Sequence, residues 1–232
     1  MKFSIVIPCY NEAETIPLLL ERFAIMEETK AMEVVFVNNG STDRTAEVLE
    51  QLLPKYPFAR VVLVKKNQGY GYGILQGLRT CKGEYIGWTH ADMQTDPVDV
   101  IKAFKLVKNQ TKPVYIKGKR KGRPLFDLFF TNGMSVFESW YFGVKLSDIN
   151  AQPNVFPITF YQSWKNPPYD FSLDLYAMYL ARKQGMELLR FDVEFPKRMY
   201  GESKWNTGLK AKWKFIKRTI AFSVKLKKGG IE

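Results

Sequence analysis

A histidine, two aspartates and a glutamine crowd into residues 89–97, THADMQTDP, directly after the apolar run EYIGW. His90 is the only histidine in the chain. A carboxylate and an amide oxygen are hard ligands, suited to Mg²⁺ or Mn²⁺ holding a diphosphate. If the segment is extended, Asp92 and Gln94 alternate and point to one side, with His90 two residues before Asp92 on that same side. An imidazole there could join a Mn²⁺ site or hydrogen-bond a phosphate. The plainer alternatives are a turn and a structural histidine.

Two earlier stretches have the same character. In PCYNE, Glu12 stands just past an apolar run, where its carboxylate could accept hydrogen bonds from a base or ribose; an acid at a helix start is the ordinary explanation. In NNGSTD, Asn38 and Asn39 offer both donor and acceptor to a nucleotide. The ordinary explanation is an Asn-Gly turn with a helix cap. GYGYGILQG resembles a dinucleotide fingerprint but fails it, because the third glycine should fall where Gln76 stands. Gly73 and Gly77, four apart, suit close helix packing instead.

The elements that must position these residues follow from periodicity. Residues 3–7, 33–37, 60–64 and 85–88 read as short buried strands. A helix is expected over about 15–26, with Asn11 or Thr15 as cap and Pro17 in its first turn. NNGSTDRT is expected to feed a second helix, capped by a Ser or Thr and ending before Pro54. Strand and helix in alternation predict a mostly parallel sheet covered on both faces, with ligands at the carboxyl ends of the strands. That puts PCYNE, NNGSTD and THADMQ on one rim. Further on, VYIK reads as a strand, KGKRKGR as a basic loop, 126–142 as aromatic and amphipathic, 150–168 as loop, 171–183 as helix, FDVEF as a strand and RMYGESKWN as a polar loop. The tail, 209–228, carries apolar residues at helical spacing among lysines.

Length and charge bound the rest. The 232 residues, 46% hydrophobic, suffice for one sizeable core. Thirty-five Lys and Arg against 23 Asp and Glu leave +12, which implies anionic partners. Cys9 and Cys81 form no disulfide framework and no CxxC pair, so a reducing compartment is the default. The first apolar run is too short for a signal peptide, and no stretch approaches the roughly 18–20 apolar residues that span a bilayer. The tail with Trp205, Trp213, Phe215 and Phe222 suits a nucleic-acid face or an anionic membrane surface; no nucleic-acid motif accompanies it.

In order, VIPCYNE, VNNGSTDRT, NQGYGYGI and HADMQTDP resemble family 2 glycosyltransferases of the GT-A fold. KGKR, SDINAQPNVF, YDFSLDL and RMYGESKW are similar to the dolichyl- and polyprenyl-phosphate sugar synthase branch. The resemblance covers residues 2–206. It implies an α/β GT-A (Rossmann-like) domain over 1–206, with a nucleotide-sugar half (1–97) and an acceptor-facing half (98–206), followed by a basic amphipathic tail (207–232). It implies inverting transfer of a sugar from a nucleotide diphosphate to a lipid-linked acceptor, with Mg²⁺ or Mn²⁺, peripherally on the cytoplasmic membrane face. Carried over by position, Pro8, Tyr10, Glu12, Asn38 and Asn39 line the nucleotide pocket. Asp92, Gln94 and His90 face metal and diphosphate. Lys119, Arg120, Arg198, Ser203 and Lys204 hold donor or acceptor phosphates, with Asp92, Asp174, Arg120 and Arg198 as the catalytic set. Asp174 is the expected general base for a hydroxyl acceptor; its plain alternative is a surface acid. Asp148 is expected to be a turn or cap residue.

The departures are specific. The family usually has a carboxylate pair where Asn38 and Asn39 stand, an aspartate at His90, and in this branch an arginine at Asn154. Mn²⁺ preference, weak metal binding and a degenerate site are the alternatives these leave. A nucleotide-sugar-binding protein without catalysis and a basic membrane or nucleic-acid adaptor are the rival functions. A UDP- or GDP-linked sugar, a lipid-linked acceptor and an anionic membrane are the expected partners, nucleic acid is not, and there is room for a membrane partner subunit or homo-oligomer.

Overall fold

The computed structural model describes residues 2–122, 125–196 and 209–228. Its strands are β1 (Phe3–Cys9), β2 (Met32–Asn39), β3 (Ala59–Val64), β4 (Tyr85–Trp88), β5 (Val114–Lys121), β6 (Asn154–Pro157) and β7 (Glu187–Glu194). They form one sheet in the order β3-β2-β1-β4-β6-β5-β7. Every pair is parallel except those made by β6, which runs against both β4 and β5. The helices are α1 (Thr15–Ala24), α2 (Thr45–Leu52), α3 (Tyr70–Leu78), α4 (Pro97–Lys108), α5 (Leu125–Phe142), α6 (Ile158–Gln162), α7 (Ser172–Lys183) and α8 (Leu209–Lys227). Among the described residues, no helix is long and apolar enough to cross a membrane.

The continuous apolar strands have the cause expected of them: both faces are covered. Phe3, Ile5 and Ile7 join a core with Ile16, Leu19 and Phe23 of α1 and Val100 and Phe104 of α4. Val6, Val35 and Val37 face the other way, onto Ile74, Leu75 and Leu78 of α3, in a core shared with Leu173 and Tyr176 of α7. Gly77 is what lets α3 lie so close. A Cβ there would stand 2.4 Å from Val6 Cγ1, and one at Gly73 would stand 2.8 Å from Asn39 Nδ2. Because β1, β2 and β4 are parallel neighbours, their carboxyl ends share one edge of the sheet. The three motif segments leave the sheet there.

Several expectations are corrected. Residues 150–168 are not all loop: Asn154–Pro157 pairs with β4 and β5, and Ile158–Gln162 is helical. Four residues among prolines are too short a run for periodicity to reveal. KGKRK is the end of β5, not a loop; its parallel pairing with β7 carries it through Lys121. α4 was not foreseen, although its signals are present. Asp96 caps it, accepting from Val98 N at 2.8 Å, Pro97 opens it, and Val100, Ile101, Phe104 and Val107 are buried along one face. Neither Asn11 nor Thr15 caps α1, and no Ser or Thr caps α2. Asp43 serves α2 instead, accepting from Thr45 N at 3.0 Å.

Candidate active site

The first two motif loops are tied into one unit. Asn11 lies at φ +59°. Its N–H donates to Ser41 Oγ at 3.1 Å, its side-chain amide donates to Thr42 Oγ1 at 3.2 Å, and its Oδ1 accepts from Thr42 N at 2.8 Å. Beside it, Glu12 N donates to Thr45 Oγ1 at 2.9 Å and Ala13 N to Asp43 Oδ2 at 3.3 Å. Burial pushes the Asp43 carboxyl up, but the hydrogen bonds from Thr45 and Ala13 outweigh it and hold the group below the ordinary carboxylate value. Thr15 Oγ1 donates to Glu12 Oε2 at 3.0 Å, which fixes that carboxylate at the rim. Tyr10 is exposed and Pro8 half-buried on the same edge. Cys9 below them is no nucleophile: burial, with Glu12 and Asp43 nearby, raises its thiol pKa well above the ordinary value.

The two asparagines divide their work. Asn38 Oδ1 accepts from Ser41 N at 3.1 Å and so shapes the turn. Asn39 Nδ2 donates to Gly69 O at 3.0 Å, while its Oδ1 is buried and without a hydrogen-bond partner among the described residues. Thr89 Oγ1, at the end of β4, is in the same state. Buried polar atoms are rarely left unpaired, so these two orphans mark where a polar ligand would be completed.

The THADMQ segment is not extended. Met93 lies at φ +58°, and Gln94 N donates to Asp92 Oδ1 at 3.1 Å, an Asx turn. Side-chain alternation therefore does not apply to His90, Asp92 and Gln94, which lie on a turn. Asp92 is buried, and the Gln94 amide nitrogen donates to Pro196 O at 3.1 Å, which assigns its other end as the oxygen. Among the described residues no three His, Cys, Asp or Glu side chains converge. One carboxylate, one amide oxygen and one imidazole make a donor set hard enough for Mg²⁺ or Mn²⁺ but too small to hold the ion unaided. It fits an ion that arrives with a diphosphate and completes its shell from phosphate oxygens.

Beneath the rim lies a second polar group that the sequence did not reveal. Asp174, expected either as a reachable base or as a surface acid, is 1% exposed. Its Oδ1 accepts from Gln152 Nε2 at 2.9 Å and from Asn154 Nδ2 at 3.0 Å, with Lys117 Nζ 3.7 Å away. Lys117 is fully buried and also donates to Ala151 O at 2.8 Å and to Asn154 Oδ1. Burial pulls the Lys117 pKa down to about 7, with Asp174 opposing the shift. Tyr115 Oη donates to Asn154 Oδ1 at 2.8 Å. Asn154, where the resembling branch has an arginine, is thus the hub of an interior network. Residues 117, 152, 154 and 174 come from β5, the loop before β6, β6 and α7. The one sequence signal for Asp174 was its apolar neighbours Leu173, Leu175, Tyr176, Ala177 and Met178, which leave no polar face for a surface acid; in the structure residues 172–178 are all buried.

The basic candidates fall into three groups. Arg120 is locked to Asp148: its backbone N and Nε donate to the two carboxylate oxygens at 2.8 Å each, and its Nη2 pairs with Oδ1. Burial would raise the Asp148 pKa, but Arg120 outweighs it and holds the carboxyl low. Asp148, at φ +45°, has the turn position expected of it. Lys119 is exposed on the other face of β5. Arg198, Ser203 and Lys204 lie outside the described residues.

Comparison with known proteins agrees with this architecture. The family model "Glycosyl transferase family 2" matches residues 4–161. The undecaprenyl-phosphate 4-deoxy-4-formamido-L-arabinose transferase of Photorhabdus laumondii is 34% identical over 132 residues, 55% of this chain and 39% of that protein. The dolichol-phosphate mannosyltransferase of Pyrococcus furiosus is 30% identical over 138 residues, 57% of this chain and 39% of that one. The chain thus spans about two fifths of the length of these relatives. Glucosyl-3-phosphoglycerate synthase from Mycobacterium tuberculosis, solved with Mn²⁺, UDP and glucosyl-3-phosphoglycerate, superposes with a TM-score of 0.74 at 15% identity, over 98% of this chain and 80% of that one. This last likeness is one of fold.

Proposed function

We propose that this chain, which belongs to glycosyl transferase family 2, is an inverting glycosyltransferase that moves a sugar from a nucleotide diphosphate to a lipid-linked phosphate. The observation that carries the reading is the rim itself: three loops from three adjacent parallel strands, with Asp92 buried beside them and with Asn39 Oδ1 and Thr89 Oγ1 at the strand ends buried and without hydrogen-bond partners among the described residues. Pro8, Tyr10, Glu12 and Asn39 hold the nucleotide. Asp92, the Gln94 oxygen and His90 hold a Mg²⁺ or Mn²⁺ brought in with the diphosphate. The cation supplies Lewis-acid stabilisation of the leaving diphosphate when bound. The relatives named for undecaprenyl- and dolichol-phosphate transfer support the acceptor class, and the Mn²⁺ and UDP of the structural neighbour support the donor class.

The burial of Asp174 also favours a phosphate acceptor. A hydroxyl acceptor needs a base within hydrogen-bond reach, and Asp174 is enclosed and already accepting two hydrogen bonds. A phosphate is already anionic and needs none. Arg120, with Lys119 and the RMYGESKW residues Arg198, Ser203 and Lys204, is the proposed phosphate-holding set. Access from a membrane is supported by α5, which exposes Val136 and Trp140 one turn apart, and by α8, which exposes Trp213 with Lys217 Nζ 5.5 Å from its ring centroid. Free, buried Cys9 and Cys81 accord with a reducing, cytoplasmic side.

The test is transfer from a panel of UDP-, GDP-, dTDP- and CDP-sugars, with Mn²⁺, onto polyprenyl phosphate or onto free glycans. The expected result is one donor turned over onto the phosphate lipid alone. Transfer only to a sugar hydroxyl overturns the acceptor; no turnover with any donor overturns the enzyme.

A further inference from the structure

The GYGY stretch at the amino end of α3, residues 69–72, is the seat of the PYDF stretch before α7, residues 168–171. Gly69 lies at φ +120°, and a Cβ there would stand 2.3 Å from Tyr169 O. A Cβ at Gly71 would stand 2.6 Å from Pro168 O and 2.7 Å from Asp170 O, so the approach of the two backbones requires glycine at both positions. Tyr72 N donates to Tyr169 O at 2.9 Å, and the two tyrosine rings meet edge-on at 5.1 Å. The Tyr70 ring stacks on Phe171, with centroids 4.5 Å apart and planes within 4°. Pro167 and Pro168 have fixed φ angles, which stiffens the segment. The seat is one step from the rim: Gly69 O accepts from Asn39 Nδ2 at 3.0 Å.

The same segment is also held by α8. Arg218 Nε lies 3.4 Å from Asp170 Oδ2, and its guanidinium sits 5.8 Å from the centre of the Phe171 ring. Asp170 Oδ1 accepts from Ser172 N at 2.9 Å, which orients the carboxylate for the pair. Arg218, Phe222 and Leu226 are four residues apart and share one face of α8. Leu226 is buried in the core that holds Leu75 of α3 and Leu173 of α7, Phe222 packs against that core, and Ser223 Oγ bonds Glu138 of α5. α8 therefore has an anchorage of its own. It does not pack solidly against the loop: a cleft of about 440 Å³ is lined by Phe222 and Lys225 of α8 and by Gln68 and residues 166–170. Asp170, which lines that cleft, bridges the loop to α8.

We propose that Arg218 is a positioning residue for the nucleotide end of the site: through Asp170 it holds residues 168–171 on the amino end of α3, and so holds Gly69 where Asn39 bonds it. α8 is then a strut for the donor pocket as well as a basic surface helix. The effect on the donor rests on the function proposed above; the effect on α3 does not.

The test uses the whole chain and the variants Arg218→Gln, Arg218→Lys and Asp170→Asn. The two side chains are 34% and 38% exposed, so these changes should leave the fold intact. Hydrogen exchange followed by NMR reports the strut without any ligand. The Tyr72 amide, which donates to Tyr169 O, should exchange about two- to fivefold faster in Arg218→Gln and in Asp170→Asn, the range for an ion pair this exposed. Arg218→Lys, which keeps the charge, should restore most of the protection. The double variant Asp170→Asn with Arg218→Gln should exchange no faster than the faster single one, because both break one pair. Titration with UDP and GDP, each with Mn²⁺, reads the consequence: the nucleotide that binds the wild type should bind Arg218→Gln about two- to fivefold more weakly, and Arg218→Lys nearly as well as wild type. Unchanged Tyr72 exchange in Arg218→Gln, or single-variant effects that add in the double variant, overturns the strut. Faster exchange with unchanged nucleotide affinity overturns the positioning role. If neither nucleotide binds the wild type while Tyr72 responds as expected, the strut stands and the donor-site reading falls.

Discussion

Two polar regions sit one beneath the other at the carboxyl end of the sheet, and they differ in how completely their hydrogen bonds are made. On the rim, Asn39 Oδ1 and Thr89 Oγ1 are buried and unpartnered among the described residues. Beneath it, Lys117, Gln152, Asn154 and Asp174 are 0–2% exposed and bonded to one another. The incomplete region is where the proposed ligand would sit, and the complete region underlies it. Burying an ammonium and a carboxylate is costly unless both are paired and hydrogen-bonded, so the lower region tolerates little change. The rim, completed by its ligand, should tolerate substitution in the fold and lose binding instead.

The largest expected effect comes from breaking the lower region. Asp174→Ala leaves Lys117 buried without its counter-charge and should cost about 3–5 kcal/mol, which at about 2–4 °C per kcal/mol for a chain of this size is a large fall in thermal midpoint. A midpoint within 2 °C of wild type, measured by calorimetry, would show that the network is not structural. The region can also be compared with a second interior carboxyl. Glu138 of α5 is fully buried and accepts from Ser223 of α8 at 2.9 and 2.8 Å. Burial raises its pKa from 4.5 to about 7, against the Ser223 hydrogen bond. A raised acid binds its proton more tightly folded than unfolded, so its stabilisation is full below about pH 4.5 and is lost as pH climbs through about 7. The slope within that window approaches about 1.4 kcal/mol per pH unit. Midpoints measured across this window should fall in the wild type and flatten in Glu138→Gln; parallel curves would refute the assignment. The smallest effect on stability belongs to the rim. In Gly73→Ala the new Cβ meets Asn39 Nδ2 at 2.8 Å. It should cost about 1–3 kcal/mol through overpacking while weakening nucleotide binding tenfold or more. Unchanged affinity by titration calorimetry would remove Asn39 from the pocket.

How much could be read from the sequence follows the same division. PCYNE, NNGSTD and THADMQ are each local, and strand-helix alternation alone put them on one edge. The interior network is not local: Lys117 meets Asn154 across 37 residues and Gln152 meets Tyr70 across 82. It exists only because β6 inserts antiparallel between β4 and β5. A four-residue strand preceded by Pro153 and ending in Pro157 leaves no periodic trace. The expected extended THADMQ failed for a different reason. Asp92 bonds the backbone of Gln94 and bends the chain, a local competition that side-chain alternation ignores. Asp43 and Thr45, which bind the first two loops together, were legible only as cap chemistry, although their contacts run across 30 and 33 residues.

The measurement closest to the central claim is titration calorimetry of UDP and GDP against the wild-type protein and Asp92→Ala, each with and without Mn²⁺. The account predicts that one nucleotide binds the wild type, that Mn²⁺ tightens it at least tenfold, and that Asp92→Ala abolishes the metal effect while its thermal midpoint stays near wild type. Binding that is indifferent to both Mn²⁺ and Asp92, or no binding of either nucleotide, would contradict it.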